Sequence, residues 1–261
     1  MRNHMWIAFA ALAIGDLALS PTSAARAGAM ANAAGSLAPA DGEADSAESL
    51  PLADAVERAL SPDSIEANRL IYWVIASGDN SGLPFIVIDK AAATVTVFDP
   101  QGEMLGETPA LLGIANGDES TPGIGERALS EMGPEERTTP AGRFPAAFGP
   151  AIGGHPVLWV DYATSVALHP VVSANRSERR LQRLRSPSPD DNRITYGCIN
   201  VPARFFTGLV RPLFVERGGI VYILPDARPL EDVFPQLRSS RFRAASRAER
   251  LRPASMNAGA R

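Results

Sequence analysis

Only one cysteine and one lysine occur in this 261-residue chain, and histidine appears three times. With Cys198 alone there is no CxxC pair and no disulfide within the chain, and no HxxxH pair offers a metal its usual neighbouring imidazoles. Lys90, placed in a short turn between two β-branched runs, leaves little room for lysine-based mechanisms. GxGxxG after a strand, GxxxxGKS/T and GxSxG are all missing, so the dinucleotide, P-loop and α/β-hydrolase signatures are absent. No apolar run reaches the roughly 18 to 20 residues of a membrane-spanning helix, and no stable membrane span is expected. A basic excess is lacking as well: the formal net charge is -4, which gives no reason to expect a nucleic-acid partner. A zinc site made of His155, His169 and Cys198 would have none of the usual spacings, so no metal or cofactor is expected.

What is present is an ordinary globular composition, 45% apolar and 21% charged, enough for a sizeable core. Residues 1–27 read as a cleaved export signal. Arg2 supplies a positive n-region, MWIAFAALAIG an apolar h-region, and small residues lead to A-x-A-like sites ending at Ala25 or Ala27. A periplasmic or secreted location follows from that reading. Residues 28–49 are rich in Ala, Gly, Ser, Asp and Glu and read as a linker. Within 50–83, Leu52–Leu60 and Ser64–Ala76 carry apolar residues at helical spacing, with Asp63 or Ser64 as the cap of the second, so a short helical preface is expected.

From residue 84 to 225 the pattern changes to strands. Runs at 85–89, 94–98, 109–114, 157–162, 165–169, 194–201 and 220–224 are short, β-branched and separated by turns. They predict a mainly β, β-sandwich-like domain with few helices. Residues 115–142 form a long Gly/Pro-rich loop, and 173–193 an insertion with an Arg-rich helical piece from Ser177. After Pro202 a helix is expected with Phe205, Leu209 and Leu213 as its apolar stripe and Pro212 as its break or kink. Residues 226–261 make an Arg-rich tail.

The remaining chemistry is that of a thiol. A free thiol is mostly protonated near neutral pH, so a nucleophilic cysteine needs a proton acceptor or a positive neighbour. In ITYGCINVP, residues 194–202, three sources of help are readable. A histidine could take the proton, and the helix after Pro202 would turn its positive end toward Cys198. Gly197 lacks a side chain, so the Gly197 and Cys198 amides could serve as an oxyanion hole. An inert, buried cysteine on a strand stays open beside this reading.

The segment resembles the signature of the YkuD-type L,D-transpeptidases, a histidine followed by S/T-H-G-C-hydrophobic-N/R. Thr195, Gly197, Cys198, Ile199 and Asn200 match it, and His169 ends the preceding strand. FIVIDKAAATVTVFD is similar to that family's opening hairpin, and TTPAGRF (138–144) to its TP-x-G-x-F segment. The resemblance implies a β-sandwich-like YkuD domain whose substrates are peptidoglycan stem peptides. It implies attack by Cys198, proton transfer through His169 and an oxyanion held at Gly197. A thioester forms with release of D-alanine and passes to an amine in a 3→3 cross-link. The same thioester resolved by water would give a carboxypeptidase or wall hydrolase, and a non-catalytic wall-binding module is a third reading. Two departures from the signature are visible: Tyr196 replaces the usual histidine, and the insertion lengthens the stretch between His169 and Cys198. Tyr196, Thr195, Asn200, Arg143 and Arg193 are the candidate substrate-site residues, with Asn200 expected to cap the following helix or buttress the site rather than touch substrate. The arginines of the insertion, Arg176, Arg179, Arg180, Arg183 and Arg185, could meet stem carboxylates or form a solvated face. Oligomeric state is not encoded in these features.

Overall fold

A computed structural model describes residues 64–151 and 154–239. The expected signal, the linker, the Leu52–Leu60 stretch and residues 240–261 of the tail lie outside the described residues. Ser64 caps the first helix, its Oγ accepting from the Ala67 amide at 3.2 Å, and α1 runs Ile65–Ser77. Gly78 ends it at φ 67, where its N–H reaches back to the Val74 carbonyl. The helical period buries Leu70, Ile71, Trp73 and Val74 along one side. Each such burial contributes about 1.5–3 kcal/mol.

Ten strands follow: β1 (Phe85–Asp89), β2 (Thr94–Phe98), β3 (Met104–Pro109), β4 (Leu112–Gly113), β5 (Gly142–Pro150), β6 (Pro156–Asp161), β7 (Val166–Pro170), β8 (Arg193–Thr195), β9 (Ile199–Val201) and β10 (Gly219–Ile223). Eight of them make one hydrogen-bonded array in the order β3-β2-β1-β10-β5-β6-β7-β9, and β4 pairs with β8. Alternating side-chain direction gives the array an inner face, and both halves, joined through β5, contribute to one core. Ile86, Ile88, Val95, Val97, Val221 and Ile223 come from one half, and Leu158, Val166, Leu168, Ile199 and Val201 from the other. The fold is therefore mainly β. Phe85, Val87, Ile220 and Tyr222 face outward from the first half and are covered by α1.

The helical elements after β7 are short. In the insertion, α2 (Arg180–Arg183) stands between 3-10 turns at Arg176–Glu178 and Pro189–Asn192. The helix after Pro202, α3, opens as Ala203–Phe205, widens to a π-helical stretch Phe206–Val210 and closes as Arg211–Phe214. Pro212 neither ends nor breaks it. The wide turn just before the proline relieves its missing N–H and ring clash. That turn also places Phe206, Val210 and Phe214 in the core, and Phe205, Leu209 and Leu213 only at its margin. A further helix, α4, spans Leu230–Val233.

Four strand expectations need correction: the 194–201 run is split into β8 and β9 by a turn at 196–198, and β3 lies mostly outside the expected runs. Residues 109–114 are not one strand: Ala110, Leu111 and Leu112 are fully buried because that segment threads the core between β3 and β4. β5 was missed, since GRFPAAFGP mixes Gly and Pro with half-exposed positions. One polar cluster inside the domain ties the long loop down. Lys90 Nζ donates to the Gly117 carbonyl at 2.5 Å, Asp118 Oδ1 at 2.9 Å and the Thr139 carbonyl at 2.9 Å. Asp118 also accepts from the Asp226, Ala227 and Arg228 amides.

Candidate active site

The parallel pairing of β7 with β9 sets Leu168 opposite Ile199 and His169 opposite Asn200. Paired residues point to the same side of a sheet, and sides alternate along a strand. Leu168 and Ile199 enter the core. Ala167, His169, Cys198 and Asn200 therefore share the outer face of this half-sheet. Cys198 and His169 are diagonal neighbours there, their α-carbons on the order of 7–8 Å apart. The face continues through Trp159, paired with Ala167, to Ala147. A cavity of about 310 Å³ lies at its far end, with Ala147, Gly149, Trp159 and Tyr162 in its lining and neither Cys198 nor His169.

The backbone turn that presents the thiol is held tightly. Thr195, 2% exposed, receives the Gly197 amide at 3.1 Å and donates its hydroxyl to the Cys198 carbonyl at 2.7 Å. Gly197 has φ 122, and a Cβ there would stand 2.8 Å from the Thr138 carbonyl. Its own carbonyl accepts from Thr139 Oγ1 at 2.9 Å. The glycine is thus required by conformation and by close approach of the TTPAGRF segment. Its amide is already engaged, so the expected pairing of Gly197 and Cys198 amides as oxyanion donors is reduced to Cys198. Thr195 shapes the turn from inside.

Cys198 is half-buried, and its Sγ lies 3.6 Å from the Ser165 carbonyl oxygen. Ser165 adopts φ 59, a strained conformation for a residue with a side chain. Burial pushes the thiol pKa above its ordinary value, while the Ala167 amide and the charge of Arg180 pull it down. For His169 burial pushes the pKa below its ordinary value, the Pro170 carbonyl raises it and Arg180 lowers it again. Among the described residues no hydrogen bond joins Cys198 to His169. Instead His169 Nδ1 lies 2.9 Å from the Pro170 carbonyl and Nε2 lies 3.1 Å from Asn200 Nδ2. Both shifts favour the uncharged thiol and imidazole over thiolate and imidazolium.

The helix-tip expectation fails. β9 separates Cys198 from α3 by about 10 Å of extended chain, and a helix end acts only within its first turn. A different cation is near: Arg180 Nη1 donates to Asn200 Oδ1 at 2.8 Å. Asn200 is 1% exposed and buttresses the imidazole without capping α3. Tyr196 packs beneath Arg137, whose Cζ is 4.0 Å from the ring centroid, so a residue of the long loop covers it.

Arg143 and Arg193 are not at this face. Arg143 Nε pairs with Asp79 Oδ2 at 2.5 Å, over Tyr222 beside α1. Arg193 donates to Asp226 Oδ1 at 2.6 Å and the Lys90 carbonyl at 3.0 Å in the buried cluster. His155 is exposed and its carbonyl closes a turn with Ala151. Ser165, Thr139, Arg137 and the particular role of Arg180 carry no sequence signal of their own. Thr139 lies inside the TTPAGRF segment and Arg180 among the arginines of the insertion, the two stretches already singled out.

No family model and no curated protein matches the chain. Among solved structures it is similar to the catalytic domain of an L,D-transpeptidase from E. faecium, at 20% identity, covering 54% of this chain and 95% of that one with a TM-score of 0.32. L,D-transpeptidase 1 of Mycobacterium tuberculosis is 17% identical, with 54% and 60% covered and a TM-score of 0.29. The helical cell shape determining protein Pgp2 from Campylobacter jejuni is 11% identical, with 71% and 61% covered and a TM-score of 0.37. The chain thus spans about three-fifths of the last two. At such identities and scores the chemistry of this chain has to rest on its own residues.

Proposed function

We propose that the protein is an exported cysteine acyltransferase acting on peptidoglycan stem peptides. The observation that supports this reading is the β7–β9 register, which pairs His169 with Asn200, two residues after the chain's single thiol. Its sequence context, TYGCIN, supports the L,D-transpeptidase assignment.

The reaction needs the thiol to turn from the Ser165 carbonyl toward His169 and the Asn200 amide to give up its place at Nε2, so that the imidazole can accept the thiol proton there. The sulfur then attacks the carbonyl that joins the third stem residue to D-alanine, and the Cys198 amide holds the oxyanion. Collapse breaks the C–N bond, and D-alanine leaves after its amine takes the proton from His169. A side-chain amine of a second stem attacks the thioester, loses a proton to the imidazole and releases the thiol. Burial favours the uncharged form of both groups, so the thiolate forms only with His169 as its proton acceptor.

Intact mass spectrometry of the purified chain mixed with a disaccharide-tetrapeptide tests the reading. An adduct of the substrate less one D-alanine, absent in Cys198→Ala, is expected. Product analysis with and without an acceptor stem then separates cross-linking from hydrolysis. Unmodified wild-type protein that still binds the ligand would instead identify a wall-binding module.

A further inference from the structure

Groups of fixed hydrogen-bonding character meet the His169 side chain from two directions. A carbonyl oxygen only accepts, so Nδ1, 2.9 Å from the Pro170 oxygen, carries a proton. A guanidinium only donates, so the Asn200 atom 2.8 Å from Arg180 Nη1 is the amide oxygen. The amide nitrogen therefore faces His169 Nε2 at 3.1 Å and donates to it, which requires a lone pair on Nε2. Both lines give the same neutral tautomer. A proton on Nε2 would set two donors against each other. The amide turn that would relieve this conflict breaks the Arg180 contact.

We infer that Arg180, carried on the insertion, is a positioning residue that locks the Asn200 amide and thereby holds the resting His169 neutral, with its proton on Nδ1 and its Nε2 lone pair accepting from Asn200. The titratable and charged groups about the imidazole fit this role. They are Cys198 at the head of β9, Arg180 on α2, and Glu178 on the preceding turn, whose Oε2 accepts from Arg180 Nε at 2.5 Å. Glu178 and Asn200 share the guanidinium, so the insertion has an internal anchor and a contact to the site. This assigns Arg180 a task other than meeting a stem carboxylate. It also gives the imidazolium a short life: once His169 has taken the thiol proton, the opposed amide favours passing that proton to the leaving amine.

The inference rests on this chain of contacts and holds whether or not the thiol performs the proposed acyl transfer, because it is read without substrate. In the full chain labelled with 15N-histidine, His169 assigned by loss of its signals in His169→Gln should show a protonated Nδ1 and a bare Nε2. In Arg180→Met the midpoint for protonating His169 should rise by about one pH unit, tenfold in proton affinity, since the freed amide can turn its oxygen to Nε2. Arg180→Lys restores a donor and should return the midpoint most of the way. Asn200→Asp places an acceptor at Nε2 with Arg180 intact and should also raise the midpoint; it decides the matter if Arg180→Met does not fold. A His169 midpoint unchanged in a folded Arg180→Met or in Asn200→Asp overturns the inference, as does a wild-type Nε2 that is protonated while Nδ1 is bare.

Discussion

Replacing Lys90 by methionine keeps the length of the side chain and removes its charge. The native ammonium is 0% exposed, 2.9 Å from Asp118 and 3.3 Å from Asp226. Removing one partner of a buried pair costs about 3–5 kcal/mol, because the other charge stays behind unpaired. The lower end applies here. Asp118 keeps three backbone donors, and Arg193 still holds Asp226. About 3 kcal/mol should therefore be lost at pH 7, read by urea unfolding. The acid limb gives a second reading. Burial raises the Asp118 pKa, but the Asp226 amide, the Lys90 ammonium and the Arg228 and Ala227 amides outweigh it and hold the carboxyl at about 2, against an ordinary 3.8. A depressed carboxyl stabilises the folded state above its unfolded pKa. At most about 2 kcal/mol of stability is thus present above pH 4 and lost as the pH falls toward 2. In Lys90→Met the native pKa rises and that loss becomes shallower. A loss below about 1 kcal/mol at pH 7, or an unaltered acid limb, would refute the assignment of the cluster as a buried, partnered ion pair.

Three further outcomes follow from the site. Gly197→Ala forces a Cβ to 2.8 Å from the Thr138 carbonyl at a φ of 122, so it should cost roughly 2–3 kcal/mol and displace the thiol, lowering the acylation rate by about 100-fold or more; near wild-type kinetics would count against the turn as the thiol's support. Thr139→Val removes the hydroxyl that bridges the Gly113 amide and the Gly197 carbonyl and should cost about 1–3 kcal/mol in thermal unfolding, with acylation slowed in parallel. Since burial raises the thiol pKa, alkylation of Cys198 by iodoacetamide should still be accelerating at the ordinary thiol pKa of about 8.5; a plateau near pH 7 would indicate a preformed thiolate.

How far the sequence could be read depended on whether the deciding partner was near in the chain. The β1–β2 hairpin and α1 were legible because alternation, the turn residues and the Ser64 cap are local. Gly197 and Thr195 were also legible as special, since the backbone they shape lies within three residues. Their roles were not: the amide of Gly197 looked free until Thr195 was seen to occupy it. Arg143 and Arg193 were assigned to an anionic substrate because an arginine's charge shows in the sequence while its partner does not. Asp79 and Asp226 pair with them. The same blindness worked in reverse for Arg180, one of several similar arginines in a polar insertion. Only the folded insertion selects it, through Asn200, 20 positions further on. A signature of six residues can therefore name the nucleophile, but the groups that set proton affinity at the site come from segments that share no pattern with it. With the α3 tip a strand away, the cation acting on both Cys198 and His169 is one that the motif does not contain.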